Sequence, residues 1–287
     1  IFLYTQARIA LAVSSSTSAS GSPRFQTPFS GLNTFLSQLA QQVSQRDTKT
    51  VFSGFQRVTV FLAAAGLSVL IGLMTQSWWE SIYLYINQVP FDVTDPIYGK
   101  DIAYYIFTLP VLVQLKSLLL TLLFFSIALV AWIYFSNNIL LIMLSADTNN
   151  KGIKRHMYML LGLFAALFAW DQALSVYDLL YSTRGVVLGA GFTDIVIQFR
   201  VHQVLMGLWG LAAVLFWVSA FRRTIWLPFS VIGFVVVVSI LGGGIIGNAV
   251  QNYVVAPNEM VKERPFIEHN IEFTRKAYGL DDLDVVM

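Results

Sequence analysis

Asp171 and Gln172 are placed to do chemistry because both lie inside a long apolar block, residues 157–179. A carboxylate at the centre of a membrane-spanning helix costs about 2.5–3.5 kcal/mol on insertion scales, so its presence calls for a partner or a task. Asp178 follows seven residues later, on the same helix face. Lys116 is the comparable base. It stands near one end of the block 111–134, where snorkelling accounts for it, as it does for Arg8. Two chemistries fit this set. One is a proton or ion relay with Asp171 as its intramembrane member. The other, which we prefer, is an ion pair or hydrogen-bonded carboxylate that fixes helix packing. Arg184 and Arg200 lie just beyond block ends, and Arg184 is expected to pair with Asp178 or Asp194.

Other chemistries are poorly provided for. There is no cysteine, hence no disulfide, thiolate ligand or thiol nucleophile. The histidines, His156, His202 and His269, are scattered without HxxxH or HExxH spacing. The glycine-rich stretch 185–191 lacks the order of a dinucleotide fingerprint and follows no strand-like run. Gly243 and Gly247 form a GxxxG pair that lets another helix approach closely. An ion-coordinating helix break is the sharper reading of the same glycines. No cofactor or metal is expected, and no catalytic constellation is visible.

The elements that must position these residues follow from composition. Of 287 residues 56% are hydrophobic and 12% charged, against roughly a quarter charged in soluble domains. Mean hydropathy is +0.66. The apolar residues fall in blocks near the ~20 residues that a bilayer core requires. Five blocks qualify: 58–79, 111–134, 157–179, 201–221 and 226–250. A sixth, 1–13, is short and reads as the end of a truncated transmembrane helix. The expected fold is therefore all-α, a polytopic transmembrane bundle of five complete spans plus the end of a sixth. A net charge of +2 with no dense basic run excludes nucleic acid as a partner.

Between the blocks, 14–22 holds six serines and reads as a linker, and 31–46 has the spacing of an amphipathic helix. The loop 80–110 begins with interfacial aromatics, Trp78, Trp79, Tyr83 and Tyr85. Within it, Asp101 is expected to cap a short helix, 102–109, that Pro110 interrupts or re-starts. After 250 the sequence turns polar, with a helix opened by Pro265 and closed by Gly279. The domains are thus 1–13, a cytoplasmic segment 14–57, a bundle 58–250 with structured loops 80–110 and 180–200, and 251–287 as the start of an extracytoplasmic domain. Topology follows from nine Lys and Arg on one side against three on the other, the nine marking the cytoplasm. This places the C-terminal helical segment outside.

Three strings carry a resemblance. The first is Pro-Phe-Asp-Val-Thr-Asp-Pro-Ile-Tyr-Gly-Lys-Asp-Ile at 90–102. The second is Tyr-Asp-Leu-Leu-Tyr-Ser-Thr-Arg-Gly-Val-Val at 177–187, with Gly-Ala-Gly-Phe-Thr-Asp at 189–194. The third is Pro257-Asn258-Glu259, followed by Glu263, Pro265, Asn270, Thr274 and Arg275. From about residue 58 onward the chain resembles the bacterial uncharacterised protein family number 0182. The resemblance implies a large multi-pass protein of the cytoplasmic membrane with an extracytoplasmic domain, and it implies no activity. It marks Asp92, Asp95, Lys100, Asp101, Asp178, Arg184, Asp194 and Asn258 as an outer-face polar cluster. The expected function is a membrane scaffold or accessory subunit, not an enzyme. Its expected partners are the lipid bilayer and other membrane subunits or copies of itself. A transporter or channel with an intramembrane carboxylate relay is the alternative. An extracytoplasmic enzyme would need an active site outside these residues.

Overall fold

The computed structural model describes residues 2–18, 49–136, 151–185, 187–222 and 226–280. The amphipathic helix expected at 31–46 lies outside them. Every named element is helical, and an isolated bridge between Thr94 and Asp101 is the one strand-like pairing among the described residues.

Helix α1 runs Phe2–Ser18, through serines expected to begin a linker. Helix α2 spans Lys49–Met74, so it starts before the expected boundary at 58. The block expected to run 58–79 breaks at its polar residues 75–77, where the Thr75 hydroxyl donates to the Gly72 carbonyl at 3.0 Å. Helix α3, Trp78–Ile86, then occupies part of what read as a loop.

Helix α4, Leu109–Ser136, corrects the expectation at Pro110. Proline lacks an N–H, and its ring clashes with the carbonyl four residues back. A π-helical turn, Tyr104–Thr108, absorbs the conflict: the Leu109 amide donates to the Tyr104 carbonyl, five residues back. The helix therefore continues through the proline instead of ending there. Helix α5 is Lys151–Asp178. Helix α6, Phe199–Phe221, is entered through a second π turn, Asp194–Gln198.

Helix α7, Trp226–Val238, continues through π turns Ser239–Ile246 and Gln251–Val255. It carries on through a 3-10 turn, Ala256–Asn258, and a short helix, Glu259–Lys262. The helix that holds the block 226–250 thus runs on as far as Lys262, with Pro257 taken up in the 3-10 turn. Helix α8, Arg264–Ala277, has Pro265 in its first turn. It closes on Gly279 at φ +62°, with the Leu280 amide donating to the Arg275 carbonyl at 2.8 Å.

Among the described residues, four helices are long and apolar enough to cross a membrane: Tyr104–Tyr134, Gly152–Tyr181, Asp194–Phe221 and Pro228–Lys262. The count is five if the broken pair Val58–Met74 and Trp78–Ile86 is one span.

The chain divides into two units. In the first (1–77 and 121–157), the small residues Ala7, Ala10 and Ala64 are buried, and Tyr4 meets Phe61 edge-on with ring centroids 6.0 Å apart. The Tyr134 hydroxyl lies 2.8 Å from His156 Nδ1, and His156 Nε2 lies 2.8 Å from Gln6 Oε1. In the second (78–120 and 158–287), Ala165, Ala212 and Ala213 let α5 and α6 close on Tyr158 and Phe216. Phe168 stacks on Trp209 at 4.7 Å. A Cβ on Gly242 would come within 2.7 Å of Val201 Cγ2, so α7 needs glycine where it meets α6.

Gly162 has the Trp217 indole packed directly over its Cα hydrogen, leaving no room for a side chain. Gly207, by contrast, faces open space. We expect Gly162→Val to lower thermal stability in detergent by about 1–3 kcal/mol through overpacking. Gly207→Ala, inside α6 with room for the methyl, should instead raise it by about 0.4–1 kcal/mol. Equal effects on the unfolding midpoint would show that the indole does not seal α5 at this point.

Candidate functional site

The site lies in the second unit and is built in three parts. The first is the loop before α4. Asp101 accepts the backbone amides of Phe91 at 3.2 Å, Asp92 at 3.0 Å and Ala103 at 2.7 Å. These donors hold its carboxyl below the usual carboxylate range. The role exceeds the helix cap expected from sequence, since Asp101 also folds residues 91 and 92 back onto the helix start. Asp92 is exposed at φ +57°, a conformation Asp tolerates better than most residues, and contributes its amide. Asp95 accepts the Tyr98 amide at 2.6 Å and the Tyr105 hydroxyl at 3.2 Å. Tyr98 donates its hydroxyl to the Val176 carbonyl of α5 at 2.8 Å. Burial, with Asp95 beside it, pushes the Tyr98 phenol well above its ordinary value. Lys100 lies 5.5 Å over the Tyr104 ring. Tyr98, Tyr104 and Tyr105 pack edge-on against Tyr177 with centroids 5.3–5.9 Å apart.

The second part crosses three helices. Lys116 Nζ of α4 lies 2.7 Å from Asp171 Oδ1 of α5, with side chains only 15% and 23% exposed. Lys116 therefore pairs and does not snorkel, because the carboxylate is a better partner than distant water. Gln172 Nε2 donates to Asp171 Oδ2 at 3.4 Å, and Gln172 Oε1 lies 2.9 Å from His202 Nδ1 on α6. Asp178 is exposed at the end of α5 and within electrostatic reach of Lys116, Asp171 and His202.

The third part joins the loop 182–193 to the end of the last long helix. Asp194 is 2% exposed, accepts the Gly191 amide at 3.2 Å and lies 4.0 Å from Arg184 Nη1. Arg184 thus meets Asp194, one of its two expected partners. Glu263 is 3% exposed, and both its oxygens lie 3.2 Å from the Phe192 amide. A Cβ on Gly191 would sit 3.1 Å from those oxygens, so glycine makes room for the carboxylate. The Thr193 hydroxyl donates to Gln251 Oε1 at 2.5 Å, and Asn270 Nδ2 donates to the Leu188 carbonyl at 2.9 Å. Gln198 donates to the Gly243 carbonyl at 3.0 Å, and its amide fills the space beside Gly247. The glycine pair thus serves close packing, and the Gly243 carbonyl is already occupied by a side-chain donor.

The structure therefore brings Asp95, Asp101, Arg184 and Asp194 into the packing of this end of the unit. It leaves Asn258 exposed at its 3-10 turn, outside the network. Sequence reasoning did not assign roles to Glu263, Thr193, Gln198, Gln251, Tyr98 or His202. Gln198 flanks an apolar block and Gln251 follows one, which is the signal that could have flagged both. No group of three or more His, Cys, Asp or Glu able to hold a metal occurs among the described residues.

These features define an all-helical protein with several helices able to cross a membrane. The chain belongs to the uncharacterised protein family UPF0182, whose profile matches residues 1–287, including the first 57 residues that the quoted motifs do not reach. It is 38% identical to a UPF0182 protein of Cupriavidus necator over 233 residues, 80% of this chain and 26% of that relative. It is 35% identical to one of Desulforamulus reducens over 236 residues, 78% of this chain and 24% of the relative. With one of Nostoc it shares 34% identity over 238 residues, 77% of this chain and 23% of the relative. The chain spans about a quarter of the length of these curated relatives. No solved structure matches it.

Glu263 yields a pH prediction. Burial, with Asp194 and Glu259 nearby, raises its carboxyl above the usual range, and the Phe192 amide only partly offsets this. The folded state then binds the proton more tightly than the unfolded state. The resulting stability is fully present below the ordinary glutamate value and is lost as pH rises through the folded one. The thermal midpoint should fall as pH rises through the region just above the ordinary carboxylate range. Glu263→Gln should flatten that dependence. A variant with the wild-type slope would assign the effect to another group.

Proposed function

We propose that this chain is a non-enzymatic membrane scaffold that anchors an extracytoplasmic segment and docks to other membrane subunits or to copies of itself. In this reading α2 to α7 supply five spans of the bacterial cytoplasmic membrane. The C-terminal ends of α4 and α6 face the cytoplasm, and α8 lies outside. The observation that carries the reading is the seating of Glu263. A buried carboxylate from the segment before α8 is held by the loop 182–193, and Asn270 of α8 itself bonds to Leu188. Side chains of this kind fix the direction in which a following segment leaves the helices, as an anchor must. Two acids of the motifs are likewise spent on their own backbone: Asp101 on three amides, Asp194 on Gly191.

Topology is tested with single cysteines, since the chain has none of its own. Cysteines replacing Ile97 and Asn270 should react with an impermeant maleimide on intact cells, and one replacing Asn149 only after lysis. Labelling of 149 together with protection of 270 would invert the arrangement.

The chain from Lys116 through Asp171 and Gln172 to His202 favours a second reading, an ion or proton transporter. Against it stand the apolar stretches Met-Tyr-Met-Leu-Leu-Gly-Leu-Phe at 157–164 and Ala-Ala-Val-Leu-Phe-Trp-Val-Ser at 212–219, which offer no continuous polar path. Protein reconstituted in vesicles should pass no ions, and Asp171→Asn should leave co-purifying partners in place. Reproducible flux that Asp171→Asn abolishes would replace the scaffold with the transporter.

A further inference from the structure

We infer that Lys116, Asp171, Gln172, His202 and Asp178 form a binding site for a single proton, taken up at Nε2 of His202 from water beside Asp178. The inference goes beyond the scaffold reading and stands whether or not partners are found.

It begins with hydrogen-bond polarity. In the ion pair with Lys116, the Asp171 carboxylate is an acceptor, so the neighbouring Gln172 must turn its amide nitrogen toward it. That leaves Gln172 Oε1, which can only accept, facing His202 Nδ1 at 2.9 Å. His202 Nδ1 must therefore carry the hydrogen. In the neutral ring the lone pair is then on Nε2, the one basic position the array leaves open. The tautomer is set by a chain of acceptors and donors that starts at an ion pair on two other helices.

Charge balance supplies the second step. With His202 neutral, the cluster holds one ammonium and two carboxylates, Asp171 and Asp178, and so one unmatched negative charge. A proton on Nε2 makes an imidazolium and brings the cluster to neutrality. Burial disfavours a charged imidazole, and against it Asp178 and Asp171 draw that proton toward the ring. The one competitor within the cluster is Asp178, whose own protonation would also neutralise it, and nitrogen NMR of the ring distinguishes the two. The charges that act on the ring come from α5, Asp178 and Asp171, while Lys116 of α4 is held by Asp171. The helix packed on the other side of α6, residues 226–250, holds no charged residue, and Arg200, two residues before His202, is exposed. Asp178 is exposed, His202 is half-buried, and the two lie within electrostatic reach of each other.

The test is nitrogen NMR of the full chain in lipid nanodiscs with 15N-labelled imidazoles, the His202 signals being assigned by their loss in His202→Gln. At alkaline pH the His202 ring should carry its hydrogen on Nδ1, a readout that needs no variant. On acidification, one proton should add at Nε2. Asp178→Asn, a change at an exposed helix end, should move half-protonation toward acid by about half a pH unit or more, or about threefold in proton affinity. A hydrogen on Nε2 at alkaline pH would overturn the inference. So would a ring that stays neutral until circular dichroism shows the fold is lost. An Asp178→Asn titration matching the wild type would also overturn it.

Discussion

Among apolar helices, water is not at hand to satisfy a carboxylate, and each acid must find its donor within the chain. Three solutions occur in the second unit. Asp171 takes an ammonium from another helix, Lys116. Asp194 takes a backbone amide from its own loop and sits near a guanidinium. Glu263 takes an amide from a loop some seventy positions earlier in sequence. Each solution fixes a different relation: α4 to α5, the loop to α6, and the end of the last long helix to that loop. Remove the requirement for a donor, and the helices would retain only small-residue packing and shape to choose their register. The apolar cluster around Ala165, Ala212 and Phe216 supplies closeness. The carboxylates supply specificity, because each has few places where it can be satisfied.

The π turns belong to the same economy. A widened turn shifts every later residue by one position around the helix, and so re-aims a side chain without ending the helix. The turn Asp194–Gln198 has Asp194 and Gln198 at its two ends, both buried, one facing the Gly191 amide and the other the Gly243 carbonyl. That carbonyl lies within the facing π turn, Ser239–Ile246. Glycine at 242 and 247 brings the two backbones close enough for the amide of Gln198 to reach across. Two irregular segments thus meet where a regular pair of helices would present only apolar side chains.

The helical class and most block positions were legible in the sequence because long runs of high hydropathy mark them directly. Boundaries were less so, for specific reasons. Pro110 reads as a stop, but a π turn cancels its steric conflict, and nothing in local propensity announces that. The polar composition after 250 reads as the start of a further domain, yet the helix runs on through Pro257 to Lys262. Residues 75–77 sit in an apolar surround that masks their breaking effect. At the site, Asp171 and Arg184 stood out because charge in or beside an apolar block is conspicuous. Glu263 did not, since a glutamate in a polar stretch has no visible anomaly until the fold buries it. Lys116 was misread because its partner is 55 positions away and periodicity within one helix cannot identify it.

The same physics separates anchoring from transport. A relay needs groups that can exchange partners, whereas most polar groups here are committed. Asp101 serves three amides, Gln198 spans to a glycine carbonyl, and Thr193 is bound to Gln251. Moving any of them would leave a donor or acceptor unmatched in a place where that costs about 1–3 kcal/mol. The array ending at His202 differs in one respect. Its acceptor and donor sequence runs out at a ring nitrogen with an unfilled lone pair, within electrostatic reach of an acid exposed at the helix end. A chain of committed bonds that ends on an open basic atom can respond to its surroundings without coming apart. Adding a proton there breaks none of the bonds from Lys116 to Nδ1. Within a bundle otherwise arranged for rigidity, that end is where a change of charge can be accommodated.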